Sequence, residues 1–278
     1  MIPEPKPDSP EVLAKIYAIF RDYFSKSEKK RRWNLRTDIP WEQCHRQSNP
    51  AIADLVETFC AVELYLPDYL ARLIPQARAN RGRTWMLASW GYEESKHSLV
   101  LSDWLLKSGH RTEEQLAALD AEVFSHHWEL PFESARGMIC YTMAQELATW
   151  LHYQNLRKMV DDDGDPALHR ILTLIAIDER AHFDFFKRVV AVYLDFDRPG
   201  TLEQIRQVMN TFQMPAIHML TDSRRRINAV RELRIFDEEM FVQQVFEPIL
   251  AELNVSRKEL RHRLAPRETV AVGALPWQ

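Results

Sequence analysis

Four glutamates and two histidines occur in this sequence in two copies of one spacing pattern. Each copy has a lone Glu followed by a Glu-x-x-His pair: Glu63, Glu94 and His97, then Glu146, Glu179 and His182. The second copy follows the first by 83 residues at the lone Glu and by 85 residues at the pair. Carboxylate oxygen and imidazole nitrogen are ligands that suit iron or manganese, whereas zinc sites more often include thiolates. The pattern therefore predicts a site for two transition-metal ions.

The residues around each pair predict helices that turn the metal ligands toward the protein core. Side chains three positions apart lie on one face of a helix, so each Glu and its His are neighbours. Apolar residues continue both faces at spacings of three and four: Leu87, Trp90, Leu101 and Trp104, and Leu172, Ile175, Phe186 and Val189. Burying a carboxylate without a partner costs several kcal/mol. Two divalent cations would balance the four carboxylates, which favours a buried metal site.

The rest of the hydrophobic pattern predicts an all-α protein. Helical periodicity covers 11–32, 83–108, 112–125, 134–160, 166–195, 201–220 and 237–253. A further helix starts near Ala51, and Pro67 and Pro75 are expected to kink or end it. Two single-Glu helices with two Glu-x-x-His helices resemble the ferritin-like di-metal bundles. We predict one domain over 1–278: a ferritin-like four-helix core at about 51–195, flanking helices at 11–32 and 201–264, and a loose tail at 265–278.

Composition excludes several classes of protein. Hydrophobic residues make up 46% of the 278-residue chain and charged residues 27%, as in ordinary globular proteins. A net charge of −4 is not the strongly basic charge that is typical of nucleic-acid-binding proteins. Three cysteines without a C-x-x-C motif fit a reducing compartment, and no apolar stretch is long enough to span a bilayer. These features predict a cytoplasmic protein that binds no nucleic acid and does not insert into membranes.

Sequence segments around the ligands resemble the soluble acyl carrier protein (ACP) desaturases of plant plastids and bacteria, over roughly 33–255. The family motifs EENRH and DEKRH correspond here to EESKH (Glu93–His97) and DERAH (Asp178–His182). The segments ELYLPDY, LLKSG, YTMAQELAT and MPAIHML are also similar. The chain departs from the family at Leu147, where the motif has Arg, and at Ala181, which replaces another basic residue.

This resemblance implies roles for particular residues. The six ligands named above would hold a di-iron centre, with manganese as an alternative metal. Thr149 would be the hydroxyl beside the oxygen-binding face. Asp178 and Trp90 would form the pair that orients a ligand imidazole. Trp33 would lie near the surface, on the route by which electrons arrive.

The resemblance also implies an activity and partners. We expect an O2-dependent desaturase that introduces a cis double bond into a fatty acyl chain carried on ACP. A ferredoxin-type donor would supply electrons, and the chain would form a homodimer. Because ACP is acidic, a basic docking face is expected at Lys26–Arg32 or at Arg224–Arg226.

Other functions use the same ligands, because fold does not determine function. One alternative is a di-iron hydroxylase or N-oxygenase that acts on a different carrier-bound or small-molecule substrate. A second is ferritin-like iron storage or peroxide detoxification, against which the extra helices and the desaturase-like segments count. A non-enzymatic carrier-binding protein would leave four core glutamates unexplained. A ribonucleotide reductase small subunit is disfavoured, since it usually supplies one Asp ligand.

Overall fold

A computed structural model describes residues 6–46 and 49–261, and within these ranges the regular structure consists of helices. The main helices are α1 (Pro10–Lys30), α2 (Pro50–Glu63), α3 (Leu66–Ala77), α4 (Arg81–Lys107), α5 (Glu113–Phe124), α6 (Ala135–Asp163), α7 (Pro166–Phe196), α8 (Arg198–Thr211) and α9 (Ser223–Glu232). Short helices α10 (Glu238–Met240), α11 (Glu247–Glu252) and α12 (Arg257–Arg261) follow. No helix in the described ranges has both the length and the apolar character needed to cross a membrane.

The helices α2, α4, α6 and α7 form the four-helix core, so the predicted all-α, ferritin-like class is confirmed. α6 and α7 pack together more extensively than the other helices, and α2 packs against α4. α1 covers α4 and α7, α3 covers α4, and α8 lies against α6 and α7. The metal-ligand faces of the core helices are thereby enclosed on several sides.

A short turn at Gly164 and Asp165 joins the two longest helices. α6 ends at Asp163, and Gly164 adopts a left-handed backbone with φ of 77°. Asp165 then caps α7 by accepting a hydrogen bond from the backbone N–H of Leu168 at 2.9 Å. This tight connection makes α6 and α7 a helical hairpin that brings Glu146 beside Glu179.

A proline determines where the first ligand helix ends. α2 stops at Glu63, and α3 begins at Leu66 with Pro67 in its first turn. Proline has no N–H to donate to the carbonyl four residues earlier, which here belongs to Glu63. Glu63 therefore lies at a break between two helices, as the sequence predicted for Pro67. Pro75, by contrast, lies inside α3, near its end.

The predicted helix at 201–220 is wrong in its second half. α8 ends at Thr211, because Pro215 disfavours helical backbone at the preceding residue and cannot donate a hydrogen bond. The chain then turns through Ala216, with φ of 59°, and enters α9, which the sequence did not predict. The predicted helix at 237–253 contains a π-helical segment at Phe241–Phe246. The predicted tail at 265–278 lies outside the described residues.

Candidate metal centre

The six predicted ligands meet in the middle of the four-helix core. Two groups have ligand atoms within 4.8 Å of one another: Glu63, Glu94, His97 and Glu179, and Glu94, Glu146, Glu179 and His182. Glu94 and Glu179 belong to both groups. Each group could therefore hold one ion, and Glu94 and Glu179 could contribute to both.

Both imidazoles direct Nδ1 toward the carboxylates. His97 Nδ1 lies 3.0 Å from Glu94 and 3.2 Å from Glu179. His182 Nδ1 lies 3.1 Å from Glu94 and 3.5 Å from Glu146. This orientation leaves Nε2 of each ring for a different partner, and Nδ1 is the atom of each ring that would hold a metal ion.

Unpaired polar atoms show that the donor set suits metal ions. Both carboxylate oxygens of Glu179 and Nδ1 of His182 are buried and make no hydrogen bond within the described residues. Buried polar atoms without partners are uncommon, and an ion is one way to satisfy them. Four carboxylates and two imidazoles are the hard and borderline donors that iron and manganese accept.

The electrostatics of the site also favour cations. Burial, and then the charge of Glu94, raise the pKa of Glu63 well above its ordinary value. Burial and the charge of Glu179 do the same to the pKa of Glu146. For His97, burial alone would lower the pKa, but Glu94 and the other nearby carboxylates outweigh it and raise the pKa. In the metal-free fold these groups therefore retain protons, and bound metal ions could take the place of those protons.

Two further carboxylates orient the imidazoles, and they repeat like the ligands. Asp178 Oδ2 lies 3.5 Å from Nε2 of His97, and Glu93 Oε2 lies 2.8 Å from Nε2 of His182. Each carboxylate stands one residue before a glutamate that belongs to both ligand groups. Asp178 on α7 reaches the imidazole on α4, and Glu93 on α4 reaches the imidazole on α7. The sequence analysis missed Glu93. Its place before Glu94, matching Asp178 before Glu179, was the signal that could have revealed it.

The basic end of α1 packs against this pair of carboxylates. Arg31 Nη1 lies 2.9 Å from Asp178 and 3.6 Å from Glu93, and Arg32 Nη1 lies 2.8 Å from Glu93. Burial alone would raise the pKa of Glu93, but His182 and Arg31 lower it to about 2. Arg31 and Arg32 were predicted within a docking face. They are instead engaged with carboxylates beside the metal site.

Trp33 is buried, not near the surface as the resemblance implied, with 7% of its area exposed. Its Nε1–H donates a 2.7 Å hydrogen bond to Asp178 Oδ2, the oxygen that faces His97. Trp90 does not pair with Asp178 as expected. Its Nε1–H donates to Glu146 Oε1 at 3.0 Å, so it orients a ligand carboxylate. The indole that pairs with Asp178 is therefore that of Trp33.

A small cavity of about 50 Å³ lies beside the ligands. Thr149 lines it together with Glu63, Glu94 and Glu179. A larger, mostly apolar groove of about 620 Å³ lies next to it, between α6, α8, α9 and the π-helical segment. The two spaces share three wall residues: His152, Met214 and Ile217. The small cavity beside the metal centre thus adjoins a groove of the size that binds drug-sized ligands elsewhere.

Comparison with known proteins identifies the family of this chain. A model of the fatty acid desaturase family matches residues 22–269. The chain belongs to the acyl-ACP desaturase family. Within this family, it is 22% identical over 249 residues to the acyl-ACP desaturase DesA1 of Mycobacterium tuberculosis, covering 82% of this chain and 72% of that one. It is 30% identical over 144 residues to the chloroplastic stearoyl-ACP 9-desaturase 6 of Arabidopsis thaliana, covering 49% and 35%.

Solved structures show the same fold as this desaturase-family chain. The acyl-ACP desaturase DesA2 structure from Mycobacterium tuberculosis superposes with a TM-score of 0.67 at 18% identity, over 90% of this chain and 98% of that one. An R2-like ligand-binding oxidase with a Mn/Fe cofactor gives 0.53 at 15% identity, over 90% and 95%. At these identities the likeness establishes the ferritin-like fold alone.

Proposed function

We propose that this chain is an O2-dependent di-iron desaturase that introduces a cis double bond into a fatty acyl chain carried on ACP. One observation carries the proposal: two ligand groups share Glu94 and Glu179 beside a cavity that adjoins an apolar groove. The names of the desaturase relatives support this activity. A storage protein would have no use for such a groove.

The six ligands would hold two iron ions, and manganese is the alternative, as in the Mn/Fe oxidase of similar fold. Bound iron would supply the oxygen activation that no amino-acid side chain provides. In the overall reaction a CH2–CH2 unit, O2, two electrons and two protons give a CH=CH unit and two waters. The external electrons are required because the acyl chain supplies only half of those that O2 accepts.

The protein's own residues hold the reacting groups in place. Asp178 and Glu93 hold the two imidazoles by Nε2, and Trp90 and the Tyr153 hydroxyl hold Glu146 and Glu63. Thr149 lines the cavity, and we propose that its hydroxyl holds a proton beside the oxygen-binding face. The apolar groove walls would keep water away from the acyl chain.

The exposed arginines on α9 and just after it make this segment the preferred docking face for ACP. Arg226 is excluded, because it is buried and paired with Glu57 at 2.8 Å. Arg224, Arg225, Arg231 and Arg234 are exposed, and Arg231 lines the groove. Arg225 and Arg231 also contact Asp54 and Glu238. A basic helix at the rim of an apolar groove suits an acidic carrier that delivers an acyl chain.

The activity is tested with iron-loaded protein, O2, stearoyl-ACP, a ferredoxin and its reductase. Mass spectrometry of the released acyl chain is expected to show the loss of two hydrogen atoms. Free stearic acid and a mixture without ferredoxin serve as controls and should give no product. Gain of one oxygen atom would instead indicate the hydroxylase alternative. Accumulation of iron mineral without acyl product would reject the proposal in favour of storage.

Trp33 is proposed to carry electrons from the donor to the metal centre through Asp178 and His97. Replacing Trp33 with Phe removes the N–H that bonds Asp178 while retaining an aromatic ring. We expect turnover with ferredoxin to fall by about 10- to 100-fold. A single turnover of chemically reduced protein should change little. Trp41→Phe is the matched control, since the Trp41 indole N–H donates to the Leu35 carbonyl and not to Asp178. Equal losses in both assays would reject the electron route.

The predicted homodimer is proposed to form through α4. Trp85, Tyr92 and Leu99 are about half exposed and seven residues apart, the spacing of a helix-pairing seam. Phe24 adjoins this stripe, because the Arg32 guanidinium lies over both Phe24 and Tyr92. Light scattering should show a dimer for the native chain, a monomer for Tyr92→Lys with Leu99→Lys, and a dimer for Phe124→Lys, an equally exposed control. A native monomer would contradict this proposal.

The cytoplasmic location stays a prediction.

A further inference from the structure

His152 is the one polar residue among the three that separate the small cavity from the groove. It lies on α6 and lines both spaces, with 6% of its area exposed. Its ring stacks on Phe236 at a centroid distance of 4.4 Å and meets Phe59 edge-on at 5.6 Å. Two aromatic contacts therefore hold the imidazole in a defined orientation.

The hydrogen bond of Nδ1 identifies the tautomer of His152. Nδ1 lies 2.6 Å from the carbonyl oxygen of Ala148. A carbonyl only accepts, so Nδ1 must carry the proton. Burial lowers the pKa of His152 to about 4, which keeps the ring neutral at pH 7. Nε2, on the edge of the ring away from Cβ, is then a hydrogen-bond acceptor.

Nε2 makes no hydrogen bond within the part of the chain that the structure describes, where Nδ1 alone is bonded, to the Ala148 carbonyl. The neighbouring wall residues Met214 and Ile217 offer no donor side chain. A plain hydrocarbon passing His152 would leave Nε2 unpaired, and an unpaired buried acceptor is costly. A bound ligand with an O–H or N–H at this point would remove that cost.

We infer that His152 is a positioning residue whose Nε2 accepts a hydrogen bond from a donor on the bound acyl substrate. This inference rests on the proposed function. The donor has two possible sources: a hydroxyl on the acyl chain, or an amide N–H of the pantetheine arm that joins the chain to ACP. Because His152 stands beside the metal-side cavity, either contact would set which carbons lie at the metals.

The test measures binding to the protein loaded with Mn(II), without O2 or an electron donor, so that no turnover occurs. The probes are stearoyl-ACP, hydroxystearoyl-ACP with the hydroxyl at different carbons, and free stearic acid. His152→Phe keeps the aromatic stack without the acceptor, and His152→Gln restores an acceptor oxygen. Met209→Leu is the control, because Met209 lines the groove but not the metal-side cavity. If His152→Phe has a lower Tm than the native protein, His152→Leu is used in its place.

A hydroxyl source predicts that native protein and His152→Gln bind one hydroxystearoyl-ACP about tenfold more tightly than stearoyl-ACP, and that His152→Phe loses this preference. A pantetheine source predicts that His152→Phe weakens stearoyl-ACP binding about tenfold without affecting stearic acid. Equal affinities of His152→Phe and native protein for every probe would overturn the inference while leaving the proposed function intact. Failure of native protein to bind any probe would reject both.

Discussion

Replacing Glu146 with Gln is expected to abolish desaturation while leaving the metal-free protein folded. Glu146 belongs to only one of the two ligand groups, so bound metal should fall from two ions toward one. Activity should fall by more than about 100-fold, the upper range for residues that merely support a ligand. Gln retains the oxygen that accepts the Trp90 hydrogen bond. Elemental analysis and the acyl-chain assay measure the two effects.

The stability of the same variant separates metal loss from misfolding. Because burial raises the pKa of Glu146, ionising it costs folding free energy as pH rises above the ordinary value of 4.5. Gln cannot ionise, so the metal-free variant should be more stable than the native chain at pH 8, by about 2 kcal/mol. Glu203→Gln, a buried glutamate outside the ligand groups, is the control and should keep both ions. If the Glu146→Gln protein still binds two ions, Glu146 is excluded as a ligand.

Metal ions are expected to stabilise the protein more at high pH than at low pH. Glu63, Glu146, His97 and His182 all have raised pKa values in the fold. The metal-free fold therefore holds protons that the unfolded chain releases, and its stability falls as pH rises. For the histidines this loss begins near pH 6.5, their ordinary pKa. The slope is about 1.4 kcal/mol per pH unit for each retained proton.

Metal binding replaces these protons, so affinity should increase with pH. At a free Mn(II) concentration about 1,000-fold above Kd, stabilisation of about 4 kcal/mol should raise Tm by roughly 10 °C. Thermal unfolding at pH 6 and pH 8.5, with chelator or with Mn(II), measures the effect. The lowered pKa of Glu93 changes stability only in acid, below the pH range of this experiment. A metal-induced Tm shift that is the same at both pH values would contradict the linkage.

The sequence predicted which six residues come together in the core because their pattern is local. A Glu-x-x-His pair lies on one helical face whatever the tertiary structure, and its apolar neighbours show which face is buried. The break after Glu63 was predictable for the same reason, since Pro67 acts on the backbone four residues earlier. The repeat also contained the signal for Glu93, which became visible once Asp178 was seen to serve the imidazole of the opposite helix.

Contacts between distant segments were decided only by the tertiary structure. Trp33 and Asp178 are 145 residues apart, and which indole reaches that carboxylate depends on helix rotation and side-chain rotamers. The same is true of Arg31, whose charge the sequence suggested for docking. The groove arises where α8 stops before Pro215 and the chain returns through α9 and a π-helical segment. Helical spacing alone therefore determines which side chains can share a metal site, whereas the packing of separate helices decides which indole reaches Asp178 and what space lies beside the site.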